Sequence, residues 1–265
     1  MTIPHDPEYA GGLPATTSVV GGAGWHLAVY ESAGSTNDLA RRLPPWHAVR
    51  ADQQTSGRGR FGRAFVSDPG GLWLSAVLPG EGGAVRWTGF SLTVGCHLLR
   101  MLARLGLPAA RLRWPNDILV GMRKLSGILI EQGARDSLIV GIGMNVRNCP
   151  WKEDSSLAPC TTRLADLLPG LDDLDSLTIH ILDALADAHA AMESHGLTAA
   201  IDELNLHWNS SPAVEITRLE GPAVRGLFAG LDRQGNLRIR GADGQEQIVP
   251  HHHVGRLVEL TAAES

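Results

Sequence analysis

Hydrophobic positions along this chain recur with two different periods, and the switches between them mark out its elements. The segments "WHLAVYES" (25–32), "HAVRADQQ" (47–54) and "LWLSAVL" (72–78) read as strands, the last alternating as a half-buried strand does. Between the first two, "STNDLARRL" opens on a hydroxyl residue able to cap free N–H groups, so a helix is expected to start at Ser35. Helical spacing returns in "VRWTGFSLTVGCHLLRMLARLG" (85–106) and stops at Gly106-Leu107-Pro108. Four short apolar segments follow: "RLRW", "DILV", "KLSGILIEQ" and "SLIVGIGMNV". The tight link "VGMRK" predicts a hairpin between the second and third. Two more helices are expected over "SLTIHILDALADAHAAMESHG" and "LTAAIDELNLHW".

From Ser211 the pattern changes to short strands joined by Glu-Gly, Gln-Gly and Asp-Gly turns, the signature of a small all-β barrel. The expected layout is a Gly/Pro/Thr-rich flexible tail (1–24), a mixed α/β body (25–210) and a β module (211–265). With 265 residues, 43% of them hydrophobic, the chain can bury a sizeable core. A net charge of −5 argues against general nucleic-acid binding, which calls for a basic surface. Three cysteines without a C-x-x-C pair suit free thiols in a reducing compartment. The start lacks the basic and apolar regions of a signal peptide, and no apolar run approaches the roughly 18 residues of a membrane span. The expected location is the cytoplasm.

Three motifs carry candidate chemistry. In "QQTSGRGRFGR" (53–63) glycines alternate with arginines. This is either a surface hairpin with solvated charges or a loop that orders around an anion through charge-assisted hydrogen bonds. It is not a Walker loop, since no Gly-Lys-Ser/Thr follows. In "RWPNDILV", Asn116 and Asp117 form either an Asx turn or, with Lys124 across the hairpin, a group suited to a phosphate and its Mg²⁺. In "GIGMN" (141–145), two strand glycines imply a close approach to the backbone, and Asn145 is either a turn residue or a polar group reaching a site. The run His251–His253 reads as a surface feature rather than a metal site, because strand side chains alternate between faces.

In order, Ser35-Thr36-Asn37, Gln54 with Gly57-Arg58-Gly59-Arg60-x-Gly62-Arg63, Trp114-Pro115-Asn116-Asp117, Lys124-Leu-Ser-Gly127 and Gly141-Ile-Gly143-Met-Asn145 resemble the biotin–protein ligases. The resemblance runs from about residue 25 to the C-terminus. It implies an α+β fold: a mixed β-sheet with helices, related to class II aminoacyl-tRNA synthetase cores, followed by a small SH3-like β-barrel. It also implies ATP-dependent transfer of biotin, through biotinoyl-5′-AMP, to a lysine of a carrier domain such as that of acetyl-CoA carboxylase.

On this resemblance, Ser35, Thr36, Asn37, Gln54, Arg58, Gly59, Arg60, Lys124 and Gly127 bind biotin. Arg58, Arg60, Asn116, Asp117, Lys124 and Asn145 hold ATP and the adenylate. Lys124, Arg60 and Asp117 are the catalytic candidates, with Asp117 the nearest group to assist loss of the acceptor amine's proton. Asp117 and Asn145 are the candidate Mg²⁺ ligands. Substrates are biotin and ATP, and the partner is the biotin carrier domain of a biotin-dependent carboxylase. The protein is expected as a monomer or homodimer that binds no nucleic acid and no membrane, since too few residues precede Trp25 for a helix-turn-helix domain. Arg113 stands where the family usually has lysine and is left out of the site. Trp151 is a candidate for stacking on adenine, and the barrel lacks the usual Gly-Glu pattern. The alternatives are a lipoate/octanoate–protein ligase, whose Arg-Arg and Gly-Gly-Gly features are missing, and a non-catalytic biotin-binding regulator.

Overall fold

The computed structural model describes residues 13–171, 173–207 and 213–260. Much of the expected tail and the expected boundary at 210/211 lie outside them. The larger unit is an eight-stranded sheet of order β1-β2-β3-β4-β8-β7-β6-β5. Its strands are β1 (Thr16–Val20), β2 (Trp25–Ala33), β3 (His47–Gln54), β4 (Leu72–Pro79), β5 (Ala110–Arg113), β6 (Asp117–Val120), β7 (Arg123–Gln132) and β8 (Ser137–Met144). The first strand corrects the sequence reading, which placed residues up to 24 in a flexible tail. Thr16–Val20 instead pairs antiparallel with β2 as an edge strand. Four of its five residues are exposed, so no hydrophobic pattern announces it.

β2 and β3 are parallel, joined through helix α1 (Thr36–Ala40), and every other pairing in this sheet is antiparallel. The remaining helices are α2 (Gly83–Arg86), α3 (Phe90–Arg104), α4 (Leu164–Leu167), α5 (Leu174–His195) and α6 (Thr198–His207). The long apolar pattern expected from residue 85 is divided, because Gly89 takes φ +79° and starts α3 afresh at Phe90.

Strand alternation sorts side chains between two cores. Along β4, Leu72, Leu74, Ala76 and Leu78 enter the main core with α3, α5 and α6, while Val77 joins a smaller cluster on the α1 face. Leu138, Val140, Ile142 and Met144 of β8 likewise face the main core. Gly141 and Gly143 therefore lie on the other face, beside α1. The expectation of a half-buried β4 fails because both faces of the sheet are covered, and Leu72 to Leu78 are buried throughout.

The second unit is an antiparallel sheet of order β12-β11-β10-β9-β13. It comprises β9 (Ala213–Arg218), β10 (Val224–Leu231), β11 (Leu237–Arg240), β12 (Glu246–Val249) and β13 (Val254–Glu259). Several side chains fasten it to the larger unit. The Trp114 indole donates to the Gly235 carbonyl (3.0 Å), Arg111 forms a two-pronged ion pair with Glu259 (2.7 and 2.6 Å), and Asn205 brackets the Leu231 backbone.

Candidate active site

The α1 face of the sheet, the Gly/Arg loop and strand β13 enclose a cavity of about 780 Å³. That is within the range of small-molecule sites. Its floor is the β6–β7 hairpin, which forms as expected with Asp117 opposite Gly127. Asp117 receives Lys124 Nζ at 2.6 Å on one oxygen and Arg113 Nη2 at 2.7 Å on the other. Burial pushes the Asp117 carboxyl up, but the charges of Lys124 and Arg113 outweigh this and hold it below the usual carboxylate range. A carboxylate committed to two cations is a poor proton acceptor, so Asp117 orients Lys124 and Arg113. Arg113, set aside on sequence, lines the same cavity. The Asn116 amide donates to the Ile128 carbonyl (2.8 Å), fixing the Pro-Asn-Asp turn to β7.

Lys124 is also bolted through its backbone. Its N–H donates to Cys160 O (2.8 Å) and its carbonyl accepts from Thr162 N–H (2.9 Å). A Cβ on Gly127 would come within 3.1 Å of Lys124 Nζ, so glycine there leaves room for the ammonium.

The inner end of the cavity is polar. Gln54 Oε1 accepts from the Thr36 N–H (2.8 Å), and Gln54 Nε2 donates to Ser67 Oγ (2.9 Å). Ser75 Oγ lies 2.7 Å from Thr36 Oγ1 and 2.6 Å from Asn37 Oδ1, while Asn37 Nδ2 donates to Glu131 (2.6 Å). Ser35 is buried and lines the cavity. The close approach foreseen at the two strand glycines is made by side chains. A Cβ on Gly141 would meet Asn37 Oδ1 at 2.5 Å, and one on Gly143 would meet the Phe65 ring at 2.7 Å.

The Gly/Arg loop folds as a small hairpin, with Gly59 N–H donating to Arg63 O (2.8 Å) and Arg58 bridged to Ala64. Its arginines have separate tasks. Arg58 holds Asp38 with both prongs (2.7 and 2.5 Å), and that hydrogen bond depresses the Asp38 carboxyl against a smaller effect of burial. Arg60 reaches the second unit, donating to His251 O at 3.0 Å and lying 3.5 Å from Val254 O. Burial lowers the Arg60 pKa while the Asp117 charge opposes it. Phe65, which the sequence reading missed, ends the loop against Trp73, with Lys124 Nζ 5.3 Å from its ring centre.

Ser35, Thr36, Asn37, Gln54, Arg58 and Gly59 thus line one cavity, together with Arg60, Asn116, Asp117, Lys124 and Gly127. Asn145 does not. It is buried outside the lining, donating to Thr162 O (3.0 Å) and accepting from Asn148 Nδ2 (3.0 Å), so it ties β8 to the segment that holds Lys124. Asp117 and Asn145 therefore do not fit as a pair of Mg²⁺ ligands: one carboxylate is spent on two cations and the amide is engaged at both ends. Among the described residues, no cluster of three or more His, Cys, Asp and Glu could hold a metal. Trp151 lies beneath Arg163 (5.4 Å), away from the cavity lining. His251–His253 forms a short 3-10 turn whose carbonyl seats Arg60. Asp38, Ser75 and Glu131 were also missed. Ser75 alone left a trace, as the one hydroxyl in an otherwise apolar strand.

The biotin/lipoate A/B protein ligase family matches residues 29–146, and the biotin protein ligase C-terminal domain matches residues 213–250. The biotin–[acetyl-CoA-carboxylase] ligase of Paracoccus denitrificans is 30% identical over 238 residues, covering 82% of this chain and 94% of that protein. The bifunctional ligase/repressor BirA of Escherichia coli is 36% identical over 228 residues, covering 82% of this chain and 70% of that protein. Among solved structures, the biotin protein ligase of Aquifex aeolicus in complex with biotin and ATP has the same fold. It superposes with a TM-score of 0.77 at 24% identity, over 88% of this chain and 99% of that one.

Proposed function

The chain belongs to the biotin protein ligase family, and from that premise we propose how its own residues serve the reaction. The protein is a ligase that uses ATP to attach biotin to the carrier domain of a biotin-dependent carboxylase. Residues 25–210 are the catalytic unit and 211–265 the β module that walls the cavity. The observation that carries the reading is one cavity joining a polar inner end to a cationic floor. Thr36 and Gln54 supply an acceptor and a donor suited to a ureido ring, which a lipoyl chain does not possess.

In the first step, a biotin carboxylate oxygen attacks the α-phosphorus of ATP, the bond to the β-phosphate oxygen breaks, and pyrophosphate leaves. Charge accumulates on the α-phosphate oxygens, where Lys124 and Arg113, held by Asp117, stabilise it without reorganising. Arg60 adds a third charge once it leaves the His251 carbonyl. Mg²⁺ enters with the phosphates of ATP as part of the substrate, in keeping with its preference for phosphate oxygens and water.

In the second step, the acceptor lysine amine attacks the biotinoyl carbonyl, an amide bond forms and AMP leaves. A lysine with an ordinary pKa of about 10.4 must first lose a proton to water, and the attacking nitrogen sheds a second to water as AMP departs. The surrounding cations favour its neutral form. The test is biotin-dependent exchange of labelled pyrophosphate into ATP. Exchange with biotin and none with lipoate is expected; the reverse would assign a lipoate ligase, and biotin binding without exchange a regulator.

A further inference from the structure

We propose that Ser75 and Glu131, neither of which lines the cavity, are positioning residues that fix which atoms of the biotin pocket donate and which accept. The inference rests on the reading of this cavity as a biotin site. Hydrogen positions follow here from groups with no choice of role. The Thr36 backbone N–H can only donate, so the atom of Gln54 that faces it at 2.8 Å is the carbonyl oxygen. Gln54 then turns its NH₂ toward Ser67 and the cavity. At the other end, the Glu131 carboxylate only accepts, so Asn37 presents Nδ2 to it at 2.6 Å and its oxygen to Ser75 at 2.6 Å.

Ser75 is fully buried and owns a single proton. That proton goes to Asn37 Oδ1, which cannot donate, so the proton between Ser75 and Thr36 is the Thr36 hydroxyl's, given to Ser75 Oγ at 2.7 Å in preference to Gln54 Oε1 at 3.1 Å. Donation therefore runs one way, from Thr36 through Ser75 and Asn37 to Glu131. The Thr36 oxygen is left with lone pairs toward the ligand, and Gln54 with an N–H. A ureido ring needs both: acceptors for its N–H groups and donors for its carbonyl. Gly141 makes the chain possible, since any Cβ there would displace the Asn37 oxygen.

Arg41 faces the second oxygen of Glu131 at 3.4 Å. In Glu131→Gln the side-chain carbonyl turns to Arg41 and the NH₂ to Asn37. That forces Asn37 to flip and reverses the chain, so Thr36 Oγ1 accepts from Ser75, turns its own proton to Gln54 Oε1 at 3.1 Å, and gives up one of the lone pairs it offers the ligand. Steady-state kinetics of the full-length protein tests this. Glu131→Gln raises KM for biotin about tenfold, the effect of one lost hydrogen bond to the ligand, with kcat and KM for ATP unmoved. Cutting the chain with Ser75→Ala makes the same Glu131→Gln change silent toward biotin. The proposal is overturned if biotin KM does not change in Glu131→Gln, if kcat falls with it, or if the effect persists in full without Ser75. Failure of Glu131→Gln to fold would make Glu131 a stability residue and overturn it as well. Absence of saturable biotin binding by the unaltered protein would overturn the biotin reading itself.

Discussion

At the scale of single residues, Lys124 shares Asp117 with Arg113, and that sharing determines what its loss does. In Lys124→Ala the carboxylate keeps Arg113, so the fold survives while one preorganised charge at the phosphate is lost. Biotin-dependent pyrophosphate exchange should fall about 10²–10³-fold, and an unchanged rate would remove Lys124 from the chemistry. Asp117 and Asp38 have folded pKa values below the ordinary value of about 3.9. Their pairing stabilises the protein above that pH and is lost as pH falls through the folded values. The unfolding midpoint of the parent should therefore drop more steeply below about pH 4 than that of Asp117→Asn; parallel curves would contradict the pairing. Of the three cysteines, Cys96 is buried, and burial pushes its thiol up to about 12. Cys160 is exposed. A disulfide reagent at neutral pH should titrate Cys160 readily and Cys96 only on unfolding.

At the scale of elements, the strands and hairpins that form the site were legible because the turn chemistry and the apolar runs agree. The turn residues between β6 and β7 already imply a hairpin that brings Asp117 near Lys124, as the 2.6 Å ion pair bears out. The task of each glycine was not legible, since it depends on what packs against it from elsewhere in the chain. Gly141→Ala should displace Asn37, weaken biotin binding and cost about 1–3 kcal/mol of stability. At Gly59, φ is −106° and the nearest atom to an added Cβ is 3.8 Å away. Gly59→Ala should therefore stay within about 0.5 kcal/mol of the parent in denaturant titrations. Equal losses at the two positions would refute the packing argument. Asn145 misled because ending an apolar strand is compatible with reaching a ligand or, as here, with splicing two loops. The edge strand β1 was invisible because its pairing, not its side chains, holds it in the sheet.

At the scale of the whole molecule, the β module is a wall of the active site rather than an appendage. Arg60 crosses from the Gly/Arg loop to the His251 turn, and Arg111 crosses to Glu259. The sequence foretold the module but not these contacts, which join residues about 150 to 190 positions apart, beyond the reach of periodicity or turn rules. Arg60→Gly removes the charge that the Gly/Arg loop brings to the adenylate phosphate, so it should leak the mixed anhydride. A bystander protein should then acquire biotin on unrelated lysines, whereas strict modification of the natural acceptor would show that Arg60 does not retain the intermediate.

The most direct measurement is the intact mass of a biotin carrier domain incubated with this protein, biotin and Mg-ATP. The account predicts a gain of one biotinoyl group on a single lysine, dependent on ATP and absent when lipoate replaces biotin. An unmodified carrier domain, or one that takes lipoate instead, would contradict it.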